Sequence, residues 1–142
     1  MPAKKTTQKG GKRFLGIDYG SKRVGVALSD ESETIAVPLS VLPNDRTLFR
    51  EIREICEARG IDGVVMGDSK DFKGNDNPIM REAMAFKAEI ERDLHLPVYL
   101  EPEFLTSFQA AKIQGENALL DASAAALILQ SYLDRRKHAK RK

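Results

Sequence analysis

The sequence is poor in the residues that build disulfides, thiolate metal centres and aromatic platforms. Cys56 is its only cysteine and tryptophan is absent. No internal disulfide can form. The spacing around Cys56 puts it on an apolar helical face, where it packs as a small hydrophobe. His95 and His138 are the only histidines and lie far apart, which argues against a histidine-based site. Aromatic residues make up 6% of the chain. They are scattered, without the stacking platform that single-strand binders use. No apolar run approaches the roughly 18 residues of a membrane helix, so no membrane partner is expected. Neither a Walker-type loop nor GxGxxG is present. Ser21 has no obvious histidine partner, which argues against a serine hydrolase. Residues 1–12 are polar and basic with no apolar segment, unlike a secretory signal. With one cysteine, a cytoplasmic location follows as the expectation.

What is present describes a soluble globular chain: 142 residues, 42% hydrophobic and 31% charged. That length suits one domain, expected over residues 13–136. Residues 1–12 read as a disordered basic tail, and 137–142 as a second basic tail. The net charge of +2 conceals a segregation. Residues 1–13 hold five basic residues and no acid, and residues 134–142 hold six and one. Residues 14–133 hold 12 basic and 20 acidic residues, a net −8. Basic ends favour polyanions such as nucleic acid; they are also ordinary solubilising termini. The acidic body repels a polyanion unless cations neutralise some carboxylates.

Apolar periodicity predicts strands over about 13–19, 22–30 and 34–41, the last an edge strand because of Pro38. A helix capped by Asn44 or Asp45 runs to about Arg59, where Gly60 stops it. A strand follows over Ile61–Met66, then a helix from Asn77-Pro78 to Leu94. Pro97–Leu100 is a further strand. A short helix runs from Thr106 or Ser107 to about Ile113, and the last helix from about Leu119 to Lys137. The order βββ-α-β-α-β-α-α implies an α/β fold: a mixed five-stranded sheet, a three-strand antiparallel meander plus parallel strands, flanked by helices.

The richest stretch is Phe14 to Leu28. An apolar strand ends in Asp18, turns at Tyr19-Gly20-Ser21-Lys22, and returns through Val24, Val26 and Leu28. Gly20 is free to take positive φ in that turn. Asp18 then sits at a strand end beside backbone N–H groups, Lys22 and Arg23. Two readings stay open. The acid bonds its own turn, or it holds a metal ion or phosphate. Lys22 and Arg23 likewise touch phosphate or are exposed turn charges. Glu103 follows another strand, and Asp121 lies early in the last helix before Ala122-Ser123-Ala124-Ala125-Ala126. Those small residues let that helix approach the sheet and carry Asp121 toward Asp18. Alternatively, Asp121 only complements the helix dipole. Three carboxylates without His or Cys suit hard ions such as Mg²⁺ or Mn²⁺. Paired ions of that kind activate water and stabilise a leaving oxygen in phosphodiester cleavage.

Residues 15–30, Leu-Gly-Ile-Asp-Tyr-Gly-Ser-Lys-Arg-Val-Gly-Val-Ala-Leu-Ser-Asp, resemble the YqgF (RuvX) family of RNase H-like proteins. So do residues 121–133, Asp-Ala-Ser-Ala-Ala-Ala-Leu-Ile-Leu-Gln-Ser-Tyr-Leu. Glu103-Phe104-Leu105-Thr106-Ser107 is similar to the family's Glu-containing segment. The likeness spans about residues 13–136. It implies an RNase H-like fold and a divalent-metal-dependent nuclease. Asp18, Glu103 and Asp121 then correspond to the acidic site, holding one or two Mg²⁺ or Mn²⁺ ions. Lys22 and Arg23 are candidates to hold the substrate backbone. The implied task is 5′-end maturation of pre-16S rRNA, with the ribosome as a possible partner. The chain departs from the family pattern in its short 108–120 segment, where Lys112 is the one cation, in the polar loop 68–77, and at Pro102.

Three other functions stay open at this stage. A Holliday junction resolvase acting on DNA would need a symmetric dimer, whereas an rRNA nuclease works as a monomer or a homodimer. A non-catalytic nucleic-acid-binding protein would rely on the basic tails. The Asp-x-Gly hairpin also resembles the phosphate-binding start of actin-like kinases, which need two such domains.

Overall fold

The computed structural model describes residues 12–68, 78–102 and 118–140. Strands β1 (Phe14–Tyr19), β2 (Arg23–Ser29) and β3 (Ala36–Pro43) come first. Then follow α1 (Leu48–Arg59), β4 (Gly63–Asp68), α2 (Pro78–Leu94), β5 (Val98–Pro102) and α3 (Ala118–Lys140). The sheet order is β3-β2-β1-β4-β5. β1, β2 and β3 form the antiparallel meander, and β4 and β5 run parallel to β1. The expected mixed five-stranded sheet is therefore the one that forms. β3 is an edge strand, as Pro38 requires, and its pairing with β2 shifts register between Val26 and Ala27.

Alternation along the strands divides the core in two. Leu15, Ile17, Val24, Val26, Val64 and Met66 pack with Ile52 of α1 and Phe86 and Ile90 of α2. Phe14, Ala27 and Val65 pack on the other face with Ala125, Ile128, Leu129 and Leu133 of α3. Each fully buried side chain of this size contributes about 1.5–3 kcal/mol. Asp18 follows the parity of Phe14 and Gly16, so it lies on the α3 face.

Several boundaries differ from the sequence expectation. α1 begins at Leu48, because Asp45 Oδ1 instead accepts bonds from Thr47 N (2.9 Å) and Thr47 Oγ1 (2.6 Å). That closes a turn ahead of the helix. Gly60 ends α1 with φ 62° and its N–H donating to the Cys56 carbonyl, the left-handed cap that glycine permits. β4 runs two residues further than expected, to Asp68. α3 extends to Lys140, so residues 137–140 of the expected tail are helical. The short helix expected over 106–113 lies outside the described residues.

α3 is fastened to the β2–β3 hairpin by side chains. Gln130 Oε1 accepts from Ala36 N at 2.9 Å while its Nε2 donates to Thr34 O at 2.8 Å. Arg136 pairs with Glu33 at 2.9 Å, and its guanidinium lies 5.2 Å from the centre of the Phe14 ring. Within the hairpin, Asp30 accepts from Thr34 N, Ile35 N, Thr34 Oγ1 and Ser32 Oγ. Desolvation opposes ionisation of Asp30, but those bonds outweigh it and hold the carboxyl well below its ordinary range.

Cys56 is buried on α1, and burial pushes its thiol up to about 12. Neutral thiols are inert. The native protein is expected to leave an aromatic disulfide reagent unreduced at neutral pH, and the unfolded protein to titrate one thiol. Rapid labelling of the native chain would place Cys56 at the surface.

Candidate active site

Asp18 is the penultimate residue of β1 and is 6% exposed. It faces Gly25 across the β1–β2 pair. On its other side, one step beyond the Ile17–Met66 pair, comes Gly67 of β4. Gly67 in turn pairs with Glu101 of β5. The cross-strand row therefore reads Gly25–Asp18–Gly67–Glu101. Residues in one row share a face, so neither immediate neighbour crowds the Asp18 carboxylate with a side chain.

The turn after Asp18 is held tightly. Asn44 Nδ2 donates to Gly20 O at 2.7 Å, and Asn44 N donates to Lys22 O at 3.0 Å. Gly20 is required here for a reason other than the expected positive φ. Among the described glycines only Gly60 has positive φ. A Cβ on Gly20 would lie 2.6 Å from the Arg23 carbonyl oxygen. Lys22 is exposed beside this turn and Arg23 is half-buried at the start of β2.

α3 crosses the same face antiparallel to β1. Gly16 lies under Ala125 and Leu129: a Cβ there would be 2.8 Å from Leu129 Cβ and 3.0 Å from Ala125 O. Phe14, two residues earlier, meets Tyr132 with ring centres 5.4 Å apart. Moving up β1 therefore means moving back along α3. Two strand residues beyond Gly16 is Asp18, about 7 Å along. One helical turn before Ala125, the residue whose carbonyl covers Gly16, is position 121, about 6 Å along. The side chain of Asp121, and all of Glu103, lie outside the described residues. Among the described side chains, no three His, Cys, Asp or Glu residues group as a metal site.

Two features escape the sequence reading. Glu101 is a buried carboxylate, 2% exposed. Its Oε2 accepts from Ser131 Oγ at 2.7 Å and Arg135 Nε at 3.2 Å, and its Oε1 from Arg135 Nη2. That bonding holds the Arg135 guanidinium above its ordinary value. The only hint in the sequence is an acid inside the apolar Val98–Leu100 strand. Second, the aromatics are not scattered in space. Phe14, Tyr99 and Tyr132 form a cluster in which Tyr99 and Tyr132 stack at 5.4 Å and 20°. Asp68 ends β4 and follows the parity of Val64 and Met66, so it lies on the face opposite Asp18.

Residues 12–135 match the family model described as "RuvX: Holliday junction resolvase". A protein of Lactobacillus acidophilus named "Putative pre-16S rRNA nuclease" is 34% identical over 136 residues, covering 86% of this chain and 96% of its own. One of the same name from Nitratidesulfovibrio vulgaris is 36% identical over 133 residues, covering 86% and 93%. Among solved structures, Thermus thermophilus RuvC bound to a Holliday junction substrate superposes with TM-score 0.60 at 15% identity, covering 89% of this chain and 96% of its own. The fowlpox virus Holliday junction resolvase superposes with TM-score 0.53 at 16% identity, covering 87% and 99%. At those identities the two structures speak for the shared RNase H-like fold. With the sequence match running from the first strand through most of the last helix, the chain belongs to the RuvX family.

Proposed function

We propose that the chain is a divalent-metal-dependent endonuclease that hydrolyses phosphodiester bonds in structured RNA, and that it matures the 5′ end of pre-16S rRNA in the cytoplasm. The observation that carries this reading is the setting of Asp18: a buried carboxylate at a strand end, flanked by Gly25 and Gly67, with α3 drawn down at Gly16. The nuclease domain spans residues 13–136.

The donor set fits a hard cation. Asp18, Glu103 and Asp121 offer only carboxylate oxygens, which suit Mg²⁺ or Mn²⁺. Gly25 and Gly67 place no side chain of their own beside Asp18. The three acids would hold one or two ions, which when bound would supply an activated water and neutralise charge on the phosphate. Asp18 supplies the rigid oxygen, because β1 is paired on both sides. Asp121, in the first turns of α3, would be the acid supplied by the helix. Lys22 and Arg23, beyond the Asp18 turn, hold the substrate backbone. The acidic body makes metal loading a precondition for phosphate approach.

RNA is preferred as substrate because relatives more than 30% identical carry the rRNA nuclease name, whereas the junction-bound neighbour is 15% identical. The test is direct. The full chain is incubated with 5′-extended 16S rRNA in pre-ribosomal particles and with a four-way DNA junction, each with Mg²⁺ or with EDTA. Mg²⁺-dependent trimming of the RNA is expected, with the junction intact. Cleavage of the junction alone would transfer the function to DNA resolution, and no cleavage of either would leave a binding protein.

A further inference from the structure

We propose that the edge formed by Tyr99, Tyr132 and Arg135 is a binding surface for single-stranded nucleic acid, with Arg135 contacting a phosphate and Tyr99 offering a base-stacking face. The proposal rests on the nuclease reading for its choice of polymer.

Glu101 and Arg135 are unequally placed: the side chains are 3% and 61% exposed. A buried carboxylate, steadied by Ser131 Oγ, grips the Nε and Nη2 edge of the guanidinium. The Nη1 edge faces away from that carboxylate. The Nε/Nη2 fork is thus taken by Glu101, which fixes the guanidinium plane and leaves Nη1 as the donor for a phosphate oxygen. Glu101 shares the cross-strand row of Asp18 and lies two strand spacings away, roughly 10 Å. The surface thus flanks the acid row on the same face of the sheet.

Beside it, Tyr99 stacks on Tyr132 yet stays 38% exposed. An exposed, pre-stacked ring is the element that accepts an unpaired base regardless of its identity. Charge points the same way. Residues 14–133 are net −8, whereas Arg135, Arg136 and Lys137 are consecutive on α3, and Lys140, Arg141 and Lys142 follow. Arg136 is occupied by Glu33 and the Phe14 ring, which leaves Arg135 as the oriented member beside the tyrosines.

The test uses the full chain in EDTA, so that no cleavage enters it. Affinity for a short fluorescein-labelled oligouridylate is read by anisotropy across a salt series. The variant Glu101→Gln/Arg135→Gln keeps the net charge and replaces the ion pair with two amides. It should bind about 5–10-fold more weakly at low salt, and its log K against log salt slope should fall by about 0.7, the loss of one phosphate contact on a single strand. Tyr99→Ala should bind about 5-fold more weakly or worse with the slope unchanged. Should the double variant not fold, Arg135→Lys serves: it keeps the charge but loses the fork, so affinity falls while the slope stays. Wild-type affinity and slope in a folded double variant, or wild-type affinity in Arg135→Lys, would overturn the proposal. So would losses seen only with duplex RNA. If binding depends on Arg135 but the wild type cuts no RNA with Mg²⁺, the nuclease reading fails and this surface stands.

Discussion

Asp18→Asn is expected to give a folded protein whose Mg²⁺-dependent cleavage falls by about 1000-fold or more. The substitution is nearly isosteric and leaves the β1 ladder intact, so the strand keeps its pairs to Gly25 and its place beside Gly67. What it removes is the anionic oxygen. Several kcal/mol of transition-state charge stabilisation depend on a correctly held divalent ion, and each 1.36 kcal/mol is tenfold in rate. A second readout separates this from a folding defect. Mg²⁺ binding only the native state raises its stability by about 2.7 kcal/mol at a hundredfold excess over Kd. The unfolding temperature of the wild type should therefore climb with Mg²⁺, and that of the variant should not. Without metal, the variant should unfold close to the wild-type temperature, because the near-isosteric amide leaves the β1 pairing intact. Wild-type cleavage by the folded variant would sink the assignment of Asp18.

Gly16→Ala is expected to lower stability by about 2–3 kcal/mol, which for a domain of this size is a drop of roughly 5–10 °C in unfolding temperature. The new Cβ would lie 2.8 Å from Leu129 Cβ and 3.0 Å from Ala125 O. Neither is the end of a flexible side chain, so α3 itself must lift. Under the proposed acid site, activity should fall further than stability explains, because the lifted helix carries Asp121 with it. Leu129→Ala gives no rescue: the colliding Cβ remains and the lost isobutyl atoms cost about 2–5 kcal/mol more. The double variant should be no better than the sum of the two. A Gly16→Ala protein with wild-type melting and activity would mean that α3 does not rest on β1 at this point.

Much of this architecture could be read along the chain because it is written in local periods. The alternation from Val24 to Leu28 and the helical spacing of Leu48, Ile52 and Cys56 each describe one element, and each formed where expected. The order of those elements implied the mixed sheet, the resemblance of two segments, 15–30 and 121–133, named its fold, and the strand order β3-β2-β1-β4-β5 came only with the structure. What stayed hidden was made by tertiary contact. Glu101 is an unremarkable strand acid until Ser131 and Arg135, some thirty residues later, arrive on α3. Phe14, Tyr99 and Tyr132 are distant in sequence and neighbours only because β1, β5 and α3 converge. Asp45 misled for the opposite reason: it closes a local turn with Thr47 where the pattern suggests a helix cap, and both use the same side-chain oxygen. Of the proposed acid trio only Asp18 falls among the described side chains, where it is buried at the end of β1.

The two faces of β1 face different futures under mutation. Leu15 and Ile17 look into a layer of branched and aromatic side chains, where volume-conserving exchanges cost little and lineages can drift. Gly16 looks into a contact with no slack at all. Descendants of this sequence should therefore diversify through the α1 and α2 layer while Gly16 stays glycine, and the strand should record two substitution rates, alternating residue by residue.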